Sequence, residues 1–179
     1  MIKAATYSFE YFINTAAANA VSKTYAYISA GVTDINMEIG PETESTQYIG
    51  DKTQTNEVKN YNFTCTFDIE PIIDDDAYKF FRSRFEEEPT YSDCDSDFVY
   101  VDTNREVMAS GQGTREYYAE ERHVAAYVNN FDTPAGDLPK LNVTLAGKGD
   151  KKRGKFNPTT KTFTEGTMAD DGTFTPAST

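Results

Sequence analysis

Tryptophan is absent from the 179-residue sequence, histidine occurs once, and cysteine occurs only as Cys65 and Cys94. Two cysteines cannot form the disulfide framework of a small secreted protein, and no Cys/His spacing is typical of a zinc site. No apolar run reaches the ~18 residues of a membrane-spanning helix, and none near the N-terminus resembles a secretory signal. We therefore expect a chain that is made inside a reducing cell and has no membrane partner.

Positive charge is also scarce, since 17 Lys and Arg face 29 Asp and Glu for a net charge of −12. Such an excess of negative charge argues against a surface that holds nucleic-acid phosphates. The length predicts one domain, with apolar bulk supplied by 12 Tyr and 12 Phe. We divide the chain into an N-terminal arm at 1–22 without a core element, a domain at 23–165 and a flexible tail at 166–179.

Alternation of apolar and polar residues dominates the middle of the chain. In 61–70 the apolar side chains are Tyr61, Phe63, Cys65, Phe67 and Ile69, and the residues between them are polar. Period-two patterning predicts a strand with one buried face and one wet face, and 34–39 shows the same pattern. Further strands are predicted at 23–32, 98–102, 122–131, 138–148 and 155–164. The fold class is therefore mainly β, a sandwich or barrel.

One helix is predicted, at about 74–88. Ala77, Phe80, Phe81 and Phe85 recur at helical spacing and should pack on the sheet. We expect Asp74 to cap its start and Pro89 to end it.

Several motifs suggest catalysis or metal binding but are incomplete. "GDKKRGKF" at 149–156 matches most of a phosphate-binding loop, but Phe156 stands where Ser or Thr would hold Mg²⁺. "DCDSDF" at 93–98 lacks the glycine and the final glutamate of a calcium loop, so we expect a solvated acidic loop, with an opportunistic cation left open. His123 has no nucleophile motif near it. We predict no enzyme, no cofactor and no metal site.

The segment 41–57 is a long polar connection between two well-patterned strands, with only Tyr48 and Ile49 to bury. Long exposed loops of this kind are either disordered insertions or functional segments. The functional alternative is an arm that pairs with another copy of the chain.

The order of these pieces resembles the major tail tube proteins of long-tailed, non-contractile bacteriophages, especially those of Gram-positive hosts. The resemblance is carried by "GVTDINMEIGPETESTQYIGDKTQTNEVKNYNFTCTFDIEP", then by "DDDAYKFF", "FVYVD" and "GKFNPTTKTFT", and it covers about residues 25–165. It implies a β-sandwich with one flanking helix that forms hexameric rings, which stack into a tube through which DNA passes. Implied partners are the tape measure, tail terminator and distal tail proteins. The implied location is the virion, after synthesis in the host cytoplasm.

The resemblance also implies that the long loop contacts neighbouring subunits and rings. Candidate contact residues are Glu42, Glu44, Gln47, Tyr48, Ile49, Asp51 and Lys52 in the loop, with Lys151, Lys152 and Arg153 in the basic turn. For the basic turn, contact with acidic groups of a neighbour and simple solvation remain equal alternatives. Wet strand faces carry Asp34, Glu38, Asp68 and Glu70, which could line an acidic channel that repels DNA.

A β-sandwich module of a virion that binds carbohydrate or a receptor is the second functional alternative. Its binding platform would need exposed tyrosines, whereas Tyr25, Tyr27 and Tyr61 fall on strands where burial is expected.

Overall fold

The structure is a computed structural model that describes residues 8–17, 20–28, 30–107 and 115–178. Strands make up most of it. They are β1 (Phe9–Asn14), β2 (Tyr25–Tyr27), β3 (Val32–Glu38), β4 (Pro41–Thr46), β5 (Thr55–Tyr61), β6 (Thr64–Ile69), β7 (Asp95–Glu106), β8 (Tyr117–Asp132), β9 (Lys140–Gly147), β10 (Lys152–Asn157), β11 (Thr162–Met168) and β12 (Phe174–Pro176). The helix α1 (Asp76–Glu87) and a short 3-10 helix (Tyr91–Cys94) lie between β6 and β7.

Ten strands form one antiparallel sheet, and β4 and β5 form a separate two-stranded sheet. The long strand β8 is the centre of the larger sheet. Its first half pairs with β7 and β10, and its second half pairs with β9. On one side the sheet continues from β9 through β6 to β3, and on the other it continues through β7 and β1 to β2. The prediction of a mainly β protein with one flanking helix is confirmed.

Two hydrophobic clusters stabilise this sheet. The larger one includes Cys65, Phe67 and Ile69 of β6, with Leu141, Val143 and Leu145 of β9 and the helix residues Ala77 and Phe81. The smaller one joins Phe12, Tyr25, Val99, Val101, Ala119 and Phe156. Because Phe12 and its neighbour Ile13 belong to different clusters, β1 is buried on both of its faces.

Helix α1 packs on the larger cluster, as its apolar stripe predicts. Phe81 is fully buried, and its ring makes an edge contact with Phe67 at 5.5 Å between centroids. The capping residue is Asp75 rather than the predicted Asp74, because the Asp75 carboxylate accepts a hydrogen bond from the Tyr78 backbone N–H at 2.7 Å. Within the described ranges, no helix is long and apolar enough to cross a membrane.

Both predicted arms contain strands. The expectation that 1–22 contributes no core element is wrong at β1, where Ile13 is fully buried and the strand pairs with β7. Residues 1–7 and 18–19 lie outside the described residues. In the predicted C-terminal tail, β12 pairs with the end of β11, and residue 179 is not described. Short strands surrounded by small polar residues lack the long alternation that identifies β6.

Candidate assembly surfaces

A β-hairpin that buries nothing in its own chain is the most distinctive surface feature. Strands β4 and β5 pair from Pro41↔Tyr61 to Thr46↔Thr55, with a bulge after Glu42. Every residue from 36 to 62 is exposed. A six-residue strand spans about 20 Å, so the hairpin projects well beyond the sheet.

The hairpin carries all seven loop residues that the sequence suggests for subunit contacts. Tyr48 is 72% exposed and Ile49 is fully exposed, and both lie at the tip. The amide of Gln47 donates to the Asp51 backbone oxygen at 3.0 Å, which orders the turn. Glu44 pairs with Lys59 at 2.7 Å across the two strands. Glu42, Asp51 and Lys52 are exposed and have no ion pair within the part of the chain that the structure describes.

The base of the hairpin differs from the sequence interpretation. Strand β3 ends at Glu38, and after Ile39 and Gly40 the chain continues into β4 of the separate sheet. Tyr61 was expected on the buried face of a 61–70 strand, yet it ends β5 and is 63% exposed. Asn62 and Phe63 separate the two strands, so the alternation of 61–70 is not one continuous element. Continuous alternation of apolar and polar residues does not show that one strand ends and a strand of another sheet begins.

A groove of about 750 Å³ lies beneath the hairpin. Ile39, Tyr61 and Phe63 supply apolar lining, and the cations of Lys59, Arg122 and Lys151 surround it with the single carboxylate of Asp150. Sequence patterns do not reveal this groove, because its lining comes from the hairpin, from β8 and from the turn after β9. Only the tertiary arrangement brings these segments together.

A polar face covers the β3–β6–β9 part of the sheet on the side away from the larger cluster. In the strand ladders Glu38 lies opposite Thr64, and Asp68 lies opposite Asn142. Glu38 and Asp68 are exposed, and each accepts a hydrogen bond from an Asn side chain, from Asn36 at 2.9 Å and from Asn142 at 2.7 Å. Among the described residues, no cation lies within ion-pair distance of either carboxylate. This face is therefore polar, ordered and negatively charged.

The other two predicted channel carboxylates are placed differently. Glu70 is half-buried and lies 3.8 Å from the Lys140 ammonium. A register shift between Val32 and Ile35 interrupts the alternation that would place Asp34 beside Glu38. Burial, followed by the charges of Cys65 and Asp34, raises the pKa of Tyr11, which packs against the larger cluster. Asp34 itself is exposed, as are Glu38 and Asp68.

The basic turn is largely neutralised inside its own chain. Lys151 lies 2.7 Å from Glu120, Lys152 lies 3.3 Å from Glu165, and Lys148 lies 2.5 Å from Asp95. Arg153 is exposed and has no carboxylate within 4.0 Å in the described ranges. Of the three predicted contact residues in this turn, Arg153 alone therefore has its charge uncompensated by an ion pair.

The motif that resembles a phosphate-binding loop leads into strand β10 rather than into a helix. Gly154 is buried, and a Cβ at this position would lie 2.2 Å from the Thr164 backbone oxygen. The close approach of β11 explains this glycine. The Cys65 thiol is fully buried, as predicted, and burial raises its pKa to about 12.

The segment 93–98 is not the solvated acidic loop that the sequence predicts. Asp95 and Asp97 belong to β7, and each side chain is 17% exposed. The His123 ring lies between them, with Nδ1 3.0 Å from Asp97 and Nε2 3.4 Å from Asp95. In the described part of the chain no cluster of His, Cys, Asp and Glu has the arrangement of a metal site. These carboxylates are occupied by cations of the same chain.

A buried carboxylate continues this network. Glu121 is 4% exposed, accepts a hydrogen bond from the Tyr25 hydroxyl, and pairs with Lys23 at 2.8 Å. Lys23 also lies 3.1 Å from Asp97. Burial acts to raise the pKa of Asp97, but the His123 and Lys23 contacts outweigh it and hold the pKa below its ordinary value of 3.8. These contacts connect β2, β7 and β8.

The fold is similar to that of a tail tube protein and to that of a sheath/tube terminator. The SPP1 tail tube, solved by solid-state NMR and cryo-EM, superposes with a TM-score of 0.58 at 11% identity over 83% of this chain and 77% of the other. The sheath/tube terminator of an extracellular contractile injection system, PVC, superposes with a TM-score of 0.51 at 10% identity over 86% of this chain and 97% of the other. No protein-family model and no curated protein matches the sequence. The structural likeness establishes the fold.

Proposed function

We propose that this chain is the structural subunit of a bacteriophage tail tube, and that it assembles as hexameric rings that stack around a channel for DNA. The phage is of the long-tailed, non-contractile type with a Gram-positive host. The subunit is made in the host cytoplasm and resides in the virion beside tape measure, tail terminator and distal tail proteins. The shared fold with the SPP1 tail tube supports the class of protein.

The exposed hairpin is the observation that carries this proposal. An isolated two-stranded hairpin is only marginally stable in water, and apolar residues such as Tyr48 and Ile49 gain free energy when they are buried. A hairpin that packs on nothing in its own chain is therefore suited to packing on another copy.

Ring closure is supported by the edges of the sheet. In the described residues, β3 pairs only with β6, and residues 126–132 of β8 pair only with β9. The four strands β3, β6, β9 and β8 thus have an unpaired edge on each side. Unpaired edges are templates for strand addition, and two different edges join copies head to tail into a ring when the rotation closes.

The polar face of these four strands is proposed to line the channel, with Glu38, Asp68, Glu70 and Asp34 contributing negative charge. Carboxylates repel the phosphates of a passing duplex, and salt screens the repulsion between subunits over about 8 Å. An acidic wall therefore prevents adhesion of DNA at a small cost to assembly.

The assembly test is a concentration series followed by sedimentation velocity and negative-stain microscopy. We expect monomer at low concentration, and rings of six copies and stacked tubes at high concentration. A chain that stays monomeric throughout and binds glycans would contradict the proposal and favour the carbohydrate-binding module.

The channel test replaces Glu38, Asp68 and Glu70 with Lys. Tubes of this variant should retain labelled duplex DNA at physiological salt, whereas wild-type tubes should not. A matched control replaces Glu87, Asp93 and Asp170, which are exposed away from this face, with Lys. Equal DNA retention by both variants would show that these carboxylates do not line the channel.

A further inference from the structure

An exposed apolar corner lies at the end of the sheet opposite the hairpin. Ile72 is 40% exposed, Ile73 is 80% exposed and Leu138 is 57% exposed. Ile69 of β6 lies opposite Leu141 of β9 in the sheet. Ile72 comes three residues after Ile69, and Leu138 comes three residues before Leu141. Both segments therefore leave the sheet at the same end. We call Ile72, Ile73 and Leu138 the apolar corner.

Carboxylates surround this corner. Asp132, at the end of β8, lies opposite Lys140 in the β8–β9 ladder. Asp137 and Asp74 are the sequence neighbours of Leu138 and Ile73. All three aspartates are exposed, and none has an ion pair within the described ranges. The nearby cations are themselves paired: Lys79 lies 3.8 Å from Asp76, Lys140 lies 3.8 Å from Glu70, and Arg82, over the Phe131 ring, lies 2.6 Å from Glu86. The rim of the apolar corner thus carries net negative charge.

The opposite end of the same strands has the complementary character. Strand β6 runs from Thr64, in the groove beneath the hairpin, to Ile69 below the apolar corner, a span of about 20 Å. The groove combines apolar lining with Lys59, Arg122 and Lys151, whose charges are compensated by Glu44 and Glu120. One end of the sheet is therefore apolar with an acidic rim, and the other is concave and apolar without an excess of negative charge.

We propose that the apolar corner of one copy docks in the groove beneath the hairpin of a second copy of this chain, and that this contact joins successive rings of the tube. The inference rests on the proposed function and names the surfaces that carry the stacking contact. The two surfaces are different and lie at opposite ends of one subunit. A heterologous contact of this kind leaves a free groove and a free corner after each addition, so the assembly grows without closing.

Apolar side chains and charge contribute in different ways to this contact. Burying Ile72, Ile73 and Leu138 against Ile39 and Tyr61 supplies the attraction, since all five side chains are exposed in the single chain. The acidic rim selects the orientation, because the pairing of two corners would place like charges together, whereas the groove carries no excess of negative charge.

The first test is the variant Ile72→Ser/Ile73→Ser. We expect rings of normal size that fail to stack into tubes. Tyr91→Ser is the matched control, because Tyr91 is 92% exposed and lies beyond α1, away from the corner; this variant should form tubes. If circular dichroism shows that the double variant is unfolded, the single variant Ile73→Gln tests the same surface.

The second test uses mixing. The variant Ile39→Ser/Tyr61→Ser lacks the apolar groove but keeps the corner, and its separately assembled rings should also fail to stack. Mixed with rings of the corner variant, each ring has one intact surface. We expect two-ring stacks and nothing longer.

Tubes of wild-type length from the corner variant would overturn the inference, as would a mixture without two-ring stacks. Loss of rings in the corner variant would also overturn it, because the corner would then belong to the contact within a ring. A wild-type chain that forms neither rings nor tubes would overturn the proposed function and this inference together.

Discussion

The hairpin and the strand that follows it differ completely in burial, although both are β-structure and adjoin in sequence. From residue 36 to 62 no side chain is buried, whereas Phe63, Cys65, Phe67 and Ile69 are all buried within the next seven residues. The hairpin is held by its own ladder, and β6 is held by strands on both sides and by α1 behind it. One region stabilises the single chain, and the other offers its surface to other chains.

Replacing residues 43–56 with a short Gly-Ser linker should separate the two roles most strongly. We expect a folded monomer with nearly unchanged thermal stability, because no side chain of the hairpin is buried. We also expect complete loss of rings and tubes. Replacing the 169–172 turn with the same linker is the control and should leave assembly intact. Normal tubes from the hairpin variant would show that the hairpin is not an assembly element.

Phe81→Ala should destabilise the single chain by about 3–5 kcal/mol, the usual cost of emptying a buried aromatic site. Phe81 is fully buried against Phe67 and Phe80. Urea unfolding measures the loss, and Tyr91→Ala, at an exposed position, should change the free energy of unfolding little. An unchanged midpoint for Phe81→Ala would mean that α1 does not hold the sheet.

Lys23→Met should destabilise the chain by about 1–3 kcal/mol, because it leaves the buried Glu121 with Tyr25 as its main partner. Lys79→Met, which removes an exposed ion pair on α1, should cost less than about 1 kcal/mol.

The effect of Lys23→Met should depend on pH. The Asp97 pKa lies below 3.8, so its contribution is present above that pH and is lost as pH falls through the lower folded-state value. Burial lowers the pKa of Lys23, but the contacts with Glu121 and Asp97 outweigh it and raise the pKa above 10.5, so that contribution is lost only above this value. The stability difference should be largest between about pH 4 and 10. A pH-independent difference would mean that packing, rather than charge, is lost.

Val58→Ser in the hairpin should change the free energy of unfolding by less than about 0.5 kcal/mol. Val58 is half exposed and contributes to neither hydrophobic cluster. Urea unfolding of Val58→Ser and Phe81→Ala under the same conditions compares the free energy lost in the hairpin with that lost in the core. A loss above 1 kcal/mol would show that the hairpin packs on its own chain.

Elements with long, regular patterns could be predicted from the sequence. The alternation of Cys65, Phe67 and Ile69 placed β6, and the spacing of Ala77 and Phe81 placed α1. These patterns are local consequences of burying one face. The missed strand β1 is buried on both faces, so Phe12 and Ile13 are both apolar and no alternation appears.

The candidate surfaces were only partly predictable. The exposed tip at Tyr48 and Ile49 follows from a polar segment that cannot form a core. The partners of Lys151 and Lys152 depend on strand register, which places Glu120 and Glu165 beside them across the sheet. The groove and the apolar corner combine segments distant in sequence, so periodicity could not reveal them.

The central position of β8 has a consequence for folding speed. Its two halves are joined to β7, β9 and β10, and β1, which pairs with β2 on one edge, must wait for β7, about ninety residues later, before its other edge has a partner. Sheets built from such distant pairings fold in milliseconds to seconds, whereas a hairpin forms in about 1–10 μs. A newly made chain therefore forms the β4–β5 hairpin long before its core closes, and the edges that β1 and β7 will share are exposed to aggregation during that interval.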